Sequence, residues 1–298
     1  MIKRILSTCL LLSSINALAD NAFTTIPCTL NDAGLITNDR GFLIDPTDLS
    51  DPENLCDFKA AELKLKVYKV ALCSQDIVFS GSAPDLSTCS YIFNSDTSSE
   101  ITVNTNAAFN LDKLTKPATG TYPYILLVTS NSVKIKAQAH FVSLRRAETG
   151  GSSGEFCWTD GSTITYDGAG GHNLVNNGIS CGDSDIPTSY GFNELIWAGD
   201  GSDDPEAVPG GDIVRSFLKA DLSLADPPSS TVRTAYVYSL TSPITIASNT
   251  SALKMSIDIT TGASLVFNNH SIPANRRIKW IEDAPFAYTI EPVNESIF

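Results

Sequence analysis

Residues 62–73 read ELKLKVYKVALC, and this stretch decides the fold class. Leu63, Leu65 and Val67 alternate with charged side chains, as expected of a β-strand that turns one face toward a core. A helix of this length would instead repeat its apolar residues every three or four positions. The stretch therefore predicts a half-buried strand.

The alternation changes phase in the middle of this strand. Val70 and Leu72 continue the apolar series only if one extra residue is inserted near Tyr68 and Lys69. A single inserted residue that shifts the side-chain phase is the signature of a β-bulge. We therefore predict a bulge at these two positions.

Further strands follow along the chain. Residues 124–128 are apolar on both faces, which is typical of a covered central strand, and residues 133–141 then alternate. Ser130 to Ser132 between them predict the turn of a hairpin. Residues 253–259 and 263–267 also alternate, and Gly262 between them predicts a second hairpin whose tight turn requires a positive φ.

Helical signals are sparse. Asp212 is a candidate cap for a short helix through Leu218, but the same region also fits a strand. The fold class is therefore all-β, an antiparallel β-sandwich-like architecture. It is divided into two β domains or forms one extended β structure with long disulfide-stapled loops.

The first 19 residues have the three parts of an export signal. Lys3 and Arg4 precede an apolar run from Ile5 to Ile15, and Ala17 to Ala19 predict cleavage after residue 19. No later apolar run reaches the roughly 20 residues of a spanning helix. The mature chain is therefore expected to have no membrane span and to be secreted, extracellular or on the cell surface, with the periplasm as an alternative compartment.

The chain is acidic. It has 20 Lys and Arg against 33 Asp and Glu, a formal net charge of −13 that becomes −15 once Lys3 and Arg4 are removed with the signal. A surface with this charge repels phosphate backbones, so nucleic acid is excluded as a partner.

Six cysteines remain after the signal. An even number in an exported chain predicts disulfides, although six cysteines allow 15 connectivities. Nearest-neighbour pairing is our prediction, and it joins Cys28 to Cys56, Cys73 to Cys89, and Cys157 to Cys181. Zinc is a poorer interpretation because the chain contains no C-x-x-C pair.

Composition divides the mature chain at about residue 148. Residues 20–148 are predicted to form an N-terminal β-sandwich-like domain. Residues 149–298 would combine a glycine-rich loop region with a C-terminal β domain, since 14 of the 19 glycines lie between residues 150 and 211. No repeat of fixed period occurs.

Catalytic signals do not rise above chance. Gly150 to Gly154 match the G-x-S-x-G pattern around Ser152, but no helix is expected to follow. His172 lies in a glycine-rich loop that favours flexibility over a fixed site. We therefore predict no catalytic residue and no enzymatic activity, with a secreted hydrolase as the least favoured alternative.

Acidic loops are the strongest ligand signal. From Cys181 to Asp226 inclusive there are ten carboxylates against two basic residues, and four of them cluster at Asp200, Asp203, Asp204 and Glu206. Calcium takes six to eight oxygen ligands, so these four are candidate ligands and Ca²⁺ is the one cofactor considered. The spacing does not match an EF-hand loop, and a solvated acidic loop is the competing interpretation.

Aromatic residues in the same region are candidates for glycan binding. Trp158, Tyr166 and Trp197 fall in the loop-rich middle, where an exposed ring beside a carboxylate or amide binds sugars, and a small local core is the competing explanation.

Together these features favour an exported, non-enzymatic surface or extracellular protein with a structural or adhesive role, including that of a filament or appendage subunit. Its partners would be other surface proteins or its own copies. A subunit that assembles by strand addition needs an exposed edge or a free terminal segment, for which Asp20 to Leu30 is the candidate. The alternative is a secreted β module that binds glycan or calcium.

Overall fold

The computed structural model describes residues 27–37, 42–43, 53–104, 114–148, 152–166, 178–183, 190–199, 201–203, 205–208, 210–268, 275–284 and 286–294. The predicted signal peptide and residues 20–26 lie outside these ranges. Nearly all regular structure is β, in strands β1 (Phe42–Leu43), β2 (Glu53–Phe58), β3 (Glu62–Cys73), β4 (Cys89–Val103), β5 (Gly120–Lys136), β6 (Gln138–Ala147), β7 (Ser153–Thr159), β8 (Thr163–Tyr166), β9 (Ile179–Gly182), β10 (Asn193–Trp197), β11 (Glu206–Val208), β12 (Gly211–Leu218), β13 (Arg233–Ile246), β14 (Thr250–Asp258), β15 (Ala263–Asn268), β16 (Arg277–Asp283) and β17 (Ala287–Asn294). One short 3-10 turn spans Pro228–Ser230.

The strands form two large sheets and one small one. A seven-stranded sheet has the order β1-β2-β15-β16-β6-β7-β9, with only β16 and β6 parallel. The other large sheet is built on β5, which pairs with β3 along one side and with β13 and then β10 along the other. Strands β14 and β17 form a separate antiparallel pair.

One continuous core lies between the sheets. It takes side chains from β3, β5, β10, β12 and β13 of one sheet and from β2, β6, β7, β15 and β16 of the other, together with Met255, Ile257 and Tyr288 of the small sheet. A second, smaller core covers the outer side of β5 through Leu126 and Val128. The all-β, sandwich-like prediction is therefore confirmed.

Strand β3 fits its sequence pattern. Leu63, Leu65 and Val67 are fully buried, and the pairing of β3 with both neighbours shifts register between Val67 and Lys69. The predicted bulge is confirmed, and so is the central strand covered on both faces, because Ile125 and Leu127 enter the main core while Leu126 and Val128 enter the smaller one.

All three predicted disulfides are present. Cys73 and Cys89 are directly opposite on β3 and β4, and Cys157 and Cys181 are directly opposite on β7 and β9. Cys28 is joined to Cys56. The nearest-neighbour connectivity is confirmed.

Both hairpin predictions are wrong. Ser130 to Ser132 lie inside the continuous strand β5, where the Ser130 hydroxyl donates to the carbonyl of Ser132 at 3.0 Å. The chain changes sheet at Ala137 instead, between β5 and β6. Gly262 also marks a change of sheet, because β14 pairs with β17 whereas β15 pairs with β2 and β16.

Gly262 does not adopt a positive φ. A Cβ at this position would approach the Cα and Cβ of Ile259 to 3.0 Å, so close contact explains the glycine. The helix beginning at Asp212 is replaced by its alternative, the strand β12.

Strands from the two predicted domains pair with each other in both large sheets. Strand β5 pairs with β13, β2 with β15, and β6 with β7 across the predicted boundary. Among the described residues, no helix has the length and apolar character that crossing a membrane requires.

Candidate functional site

A surface of half-buried aromatic rings and exposed aliphatic side chains lies on the outer side of β6 and β7. On β6, His140, Val142 and Leu144 alternate with side chains that are buried in the core. Val142 and Leu144 are 37% and 39% exposed. We call the surface formed by these three residues with Phe156 and Trp158 of β7 the β6–β7 face.

The pairing of the two strands organises this face. His140 is directly opposite Phe156, and their rings stack with centroids 3.8 Å apart. Gln138 is directly opposite Trp158, so an amide stands beside the indole. The face thus presents two half-buried aromatic rings two positions apart on one strand, with an amide and aliphatic side chains next to them.

The disulfide holds β7 and β9 together beneath the face. Cys157 separates the two aromatic residues of β7, points into the core and is bonded to Cys181. A Cβ at Gly182 would lie 3.1 Å from the Trp158 ring, so the indole lies over this glycine of β9. The backbone under Phe156 and Trp158 is therefore covalently fixed.

A second cluster lies at the seam between the two sheets. The Arg215 side chain of β12 donates through Nε to Oδ2 of Asp203 at 2.6 Å, and its guanidinium is 4.7 Å from the centre of the Trp197 ring. The Trp197 indole donates to Oδ1 of Asp283, on the other sheet, at 3.1 Å. We call Trp197, Asp203, Arg215, Tyr236 and Asp283 the Arg215 cluster.

Tyr236 occupies the inner side of this cluster. It is directly opposite Arg215 on β13 and is 5% exposed, and its hydroxyl has no hydrogen-bond partner among the described residues. Burial, with the Asp283 carboxylate, raises the pKa of Tyr236 well above its usual value. Burial also raises the pKa of Asp283, against the opposing effect of Arg215.

Glu282 is next to this cluster in the sequence. Burial and the negative charge of Asp283 raise the pKa of Glu282 to about 7. Ser264, directly opposite Glu282 on β15, donates to the carboxylate of Asp57. Asp57, Ser264 and Glu282 thus form a polar row across the seven-stranded sheet.

The predicted calcium ligands are only partly within the described residues. Asp200 and Asp204 lie outside them, as does the side chain of Glu206. Asp203 is bound to Arg215, which calcium would have to displace. No group of three or more metal-ligating side chains occurs among the described residues.

The three aromatic candidates separate into two places. Trp158 belongs to the β6–β7 face. Trp197 belongs to the Arg215 cluster, and its backbone is directly opposite Tyr166 in the parallel pair of β10 and β8. The structure thus brings Tyr166 and Trp197 into register and puts Trp158 on the other sheet.

The candidate nucleophile has a structural contact. Ser152 precedes a strand, not a helix, and its hydroxyl accepts a hydrogen bond from the backbone N–H of Cys181 at 3.0 Å. His172 lies outside the described residues. Pro27 to Leu30, the end of the predicted free terminal segment, contact the fold, since the N–H of Cys28 donates to the carbonyl of Asp57 at 2.8 Å.

Two arginines at inward strand positions were not singled out from the sequence. Arg145 is fully buried, and its guanidinium lies 5.0 Å from the ring centres of both Phe141 and Phe267. Arg215 is the other. Each occupies an inward position in an alternating strand, and a cation in such a position is the sequence signal for both.

No protein family, curated protein or solved structure matches this chain.

Proposed function

We propose that this is an exported, non-enzymatic β protein with a structural or adhesive role outside the cytoplasm, and that the β6–β7 face is its contact surface. One observation carries the proposal: half-buried aromatic rings and exposed aliphatic side chains lie together on a sheet surface whose backbone is fixed by a disulfide. Contiguous apolar patches on soluble proteins are typical of interaction sites, and fixed aromatic side chains lose little entropy on binding.

The three disulfides support an exported location. Each pair is formed within the chain, and such bonds persist in oxidising compartments. The amino-terminal signal pattern points the same way. A role at the cell surface, including that of a filament subunit, is consistent with this location.

A cell-binding experiment tests the proposal. Labelled mature protein is added to cells of the producing organism that lack the gene for this protein. The double variant Phe156→Ser/Trp158→Ser should lose at least about 2 kcal/mol of binding free energy, because aromatic residues dominate such contacts. Val232→Ser, at a residue 47% exposed elsewhere, is the control.

The outcome that contradicts the proposal is equal retention of the double variant and the control. Melting temperatures of all three proteins show whether each variant is folded. Absence of binding by the unmodified protein would also contradict an adhesive role.

A glycan partner is the second candidate. The Gln138 amide beside the Trp158 ring is the observation that favours it, since sugars stack on aromatic rings and bond to amides. Soluble polysaccharides added in excess should then release the bound protein. Protease treatment of the cells should release it if the partner is a protein.

A further inference from the structure

We infer that two copies of this chain associate through the free edge of β14, in an antiparallel pairing that places Ser256 on a twofold axis. This contact is separate from the β6–β7 face. The occupant is a second copy of the chain, and the argument comes from the small sheet and the charges along its edge.

Strand β14 has an open edge among the described residues. It pairs with β17 on one side, and no other described strand pairs with it. Met255 and Ile257 are buried in the main core, whereas Ser251, Ala252 and Lys254 are exposed. From Ser251 to Asp258 this edge has no strand partner among the described residues, and such an edge can form hydrogen bonds with another strand.

The side-chain pattern limits the register. When two antiparallel strands pair, buried residues must lie opposite buried residues. If a strand pairs with its own copy, this condition is met only when the twofold axis passes through a residue. The possible registers therefore differ in which residue lies on the axis. An axis at Lys254 opposes two lysines. With the axis at Met255, Lys254 of one copy lies opposite Ser256 of the other, and Asp258 lies opposite Ala252. Neither charged residue then has an oppositely charged partner across the axis.

An axis at Ser256 is self-complementary. It places Lys254 of each copy opposite Asp258 of the other, so two ion pairs form by symmetry, and it keeps the core-facing Met255 opposite the core-facing Ile257. Oppositely charged residues directly across a sheet attract, and like charges repel. The Nζ of Lys254 already lies 3.7 Å from Oε2 of Glu291 on β17. In the dimer, Lys254 would therefore lie between the carboxylate of Glu291 in its own copy and that of Asp258 in the other.

Lys254 also disfavours pairing of the β14 edge with unrelated strands. A charged side chain in the middle of an edge strand opposes pairing with most other strands. Asp258 in the matching position of the second copy removes that obstacle. Pairing would also extend the two-stranded sheet to four strands, β17-β14-β14-β17, and small sheets gain stability from added strands.

A charge-exchange experiment tests this dimer. The dissociation constant of the mature protein is measured by analytical ultracentrifugation over a wide concentration range. Lys254→Asp and Asp258→Lys should each raise it roughly tenfold or more, because each turns two attractive pairs into repulsive ones. The double variant Lys254→Asp/Asp258→Lys restores opposite charges and should recover most of the lost affinity. Lys219→Asp, in the turn that follows β12 and away from β14, is the control for net charge.

Cross-linking tests the register with the natural charges in place. Ser256→Cys should form a disulfide-linked dimer under mild oxidation, because the two thiols meet on the axis. Ser251→Cys, on the same strand but off the axis, should remain uncrosslinked. A wild-type chain that is monomeric at every concentration, a double variant without recovery, or equal cross-linking at both positions would overturn the inference.

Failure of the dimer can be distinguished from failure of the proposed contact surface. Loss of the dimer in Lys254→Asp should leave the β6–β7 face intact, and Phe156→Ser/Trp158→Ser should leave the dimer intact.

Discussion

Arg215 joins parts of the chain that are far apart in sequence. It contacts Asp203 from a loop, Trp197 from β10 and the ring of Phe217 two positions along its own strand. Through Trp197, which bonds to Asp283, the contact extends to the other sheet. A partly buried cation with these neighbours contributes both charge and packing.

Replacement of Arg215 should therefore destabilise the fold. We expect Arg215→Met to lower the free energy of unfolding by roughly 1–2 kcal/mol, because the partly exposed ion pair with Asp203 and the stacking on Trp197 each contribute about 1 kcal/mol or less. Arg215→Lys keeps the charge but not the planar stacking and should cost less. Urea denaturation measures both, and equal stability of wild type and Arg215→Met would contradict this account.

Glu282 predicts a dependence of stability on pH. Its pKa of about 7 lies above the ordinary value of 4.5, so the folded state binds this proton more tightly than the unfolded chain does. Stability contributed by the protonated group is present below about 4.5 and is lost as pH rises through about 7. Burial shifts the pKa of Asp283 in the same direction.

Glu282→Gln should remove much of this decline. The free energy of unfolding of the wild type should be lower at pH 8 than at pH 5, and the difference should be smaller in the variant. Denaturation curves at the two pH values measure this. A wild-type protein that gains stability between pH 5 and 8 would show that the proton is not held in the folded state.

At the scale of elements, the pair formed by β7 and β9 depends on its disulfide. Four residues of each strand pair, and Cys157 is directly opposite Cys181 near the middle. Among the described strands, β9 is the last of its sheet and pairs with β7 alone.

Removing this disulfide should lower stability and disturb the β6–β7 face. For the 24-residue separation of Cys157 and Cys181, we expect Cys157→Ala/Cys181→Ala to cost about 3 kcal/mol. Cys73→Ala/Cys89→Ala, with a separation of 16, is the matched control, because it should cost a similar amount without affecting cell binding. Equal effects of both variants on binding would argue against the face.

At the scale of the whole molecule, the alternating pattern predicted strands well but not their partners. In residues 133–141 the inward positions are all buried, as the sequence indicates, although the chain changes sheet within them. Ser130 to Ser132 have the composition of a turn, yet β3, β13 and β10 hold this part of β5 extended. Such pairing depends on residues distant in sequence.

Only parts of the candidate site could be predicted from the sequence. Trp158 was identified as a candidate in the loop-rich middle of the chain. His140 follows Lys134 and Lys136 in the alternating pattern, which by itself indicates a solvated position. The structure stacks it on Phe156, because β6 and β7 pair in a register that local sequence does not encode.

The central claim is that the β6–β7 face is covered when the protein acts at the cell surface. Oxidative footprinting of tryptophans compares the free protein with the cell-bound protein, and Trp197 in the Arg215 cluster serves as the internal reference. We predict that Trp158 becomes protected in the bound state while the oxidation of Trp197 is unchanged. Equal oxidation of Trp158 in both states would contradict the claim.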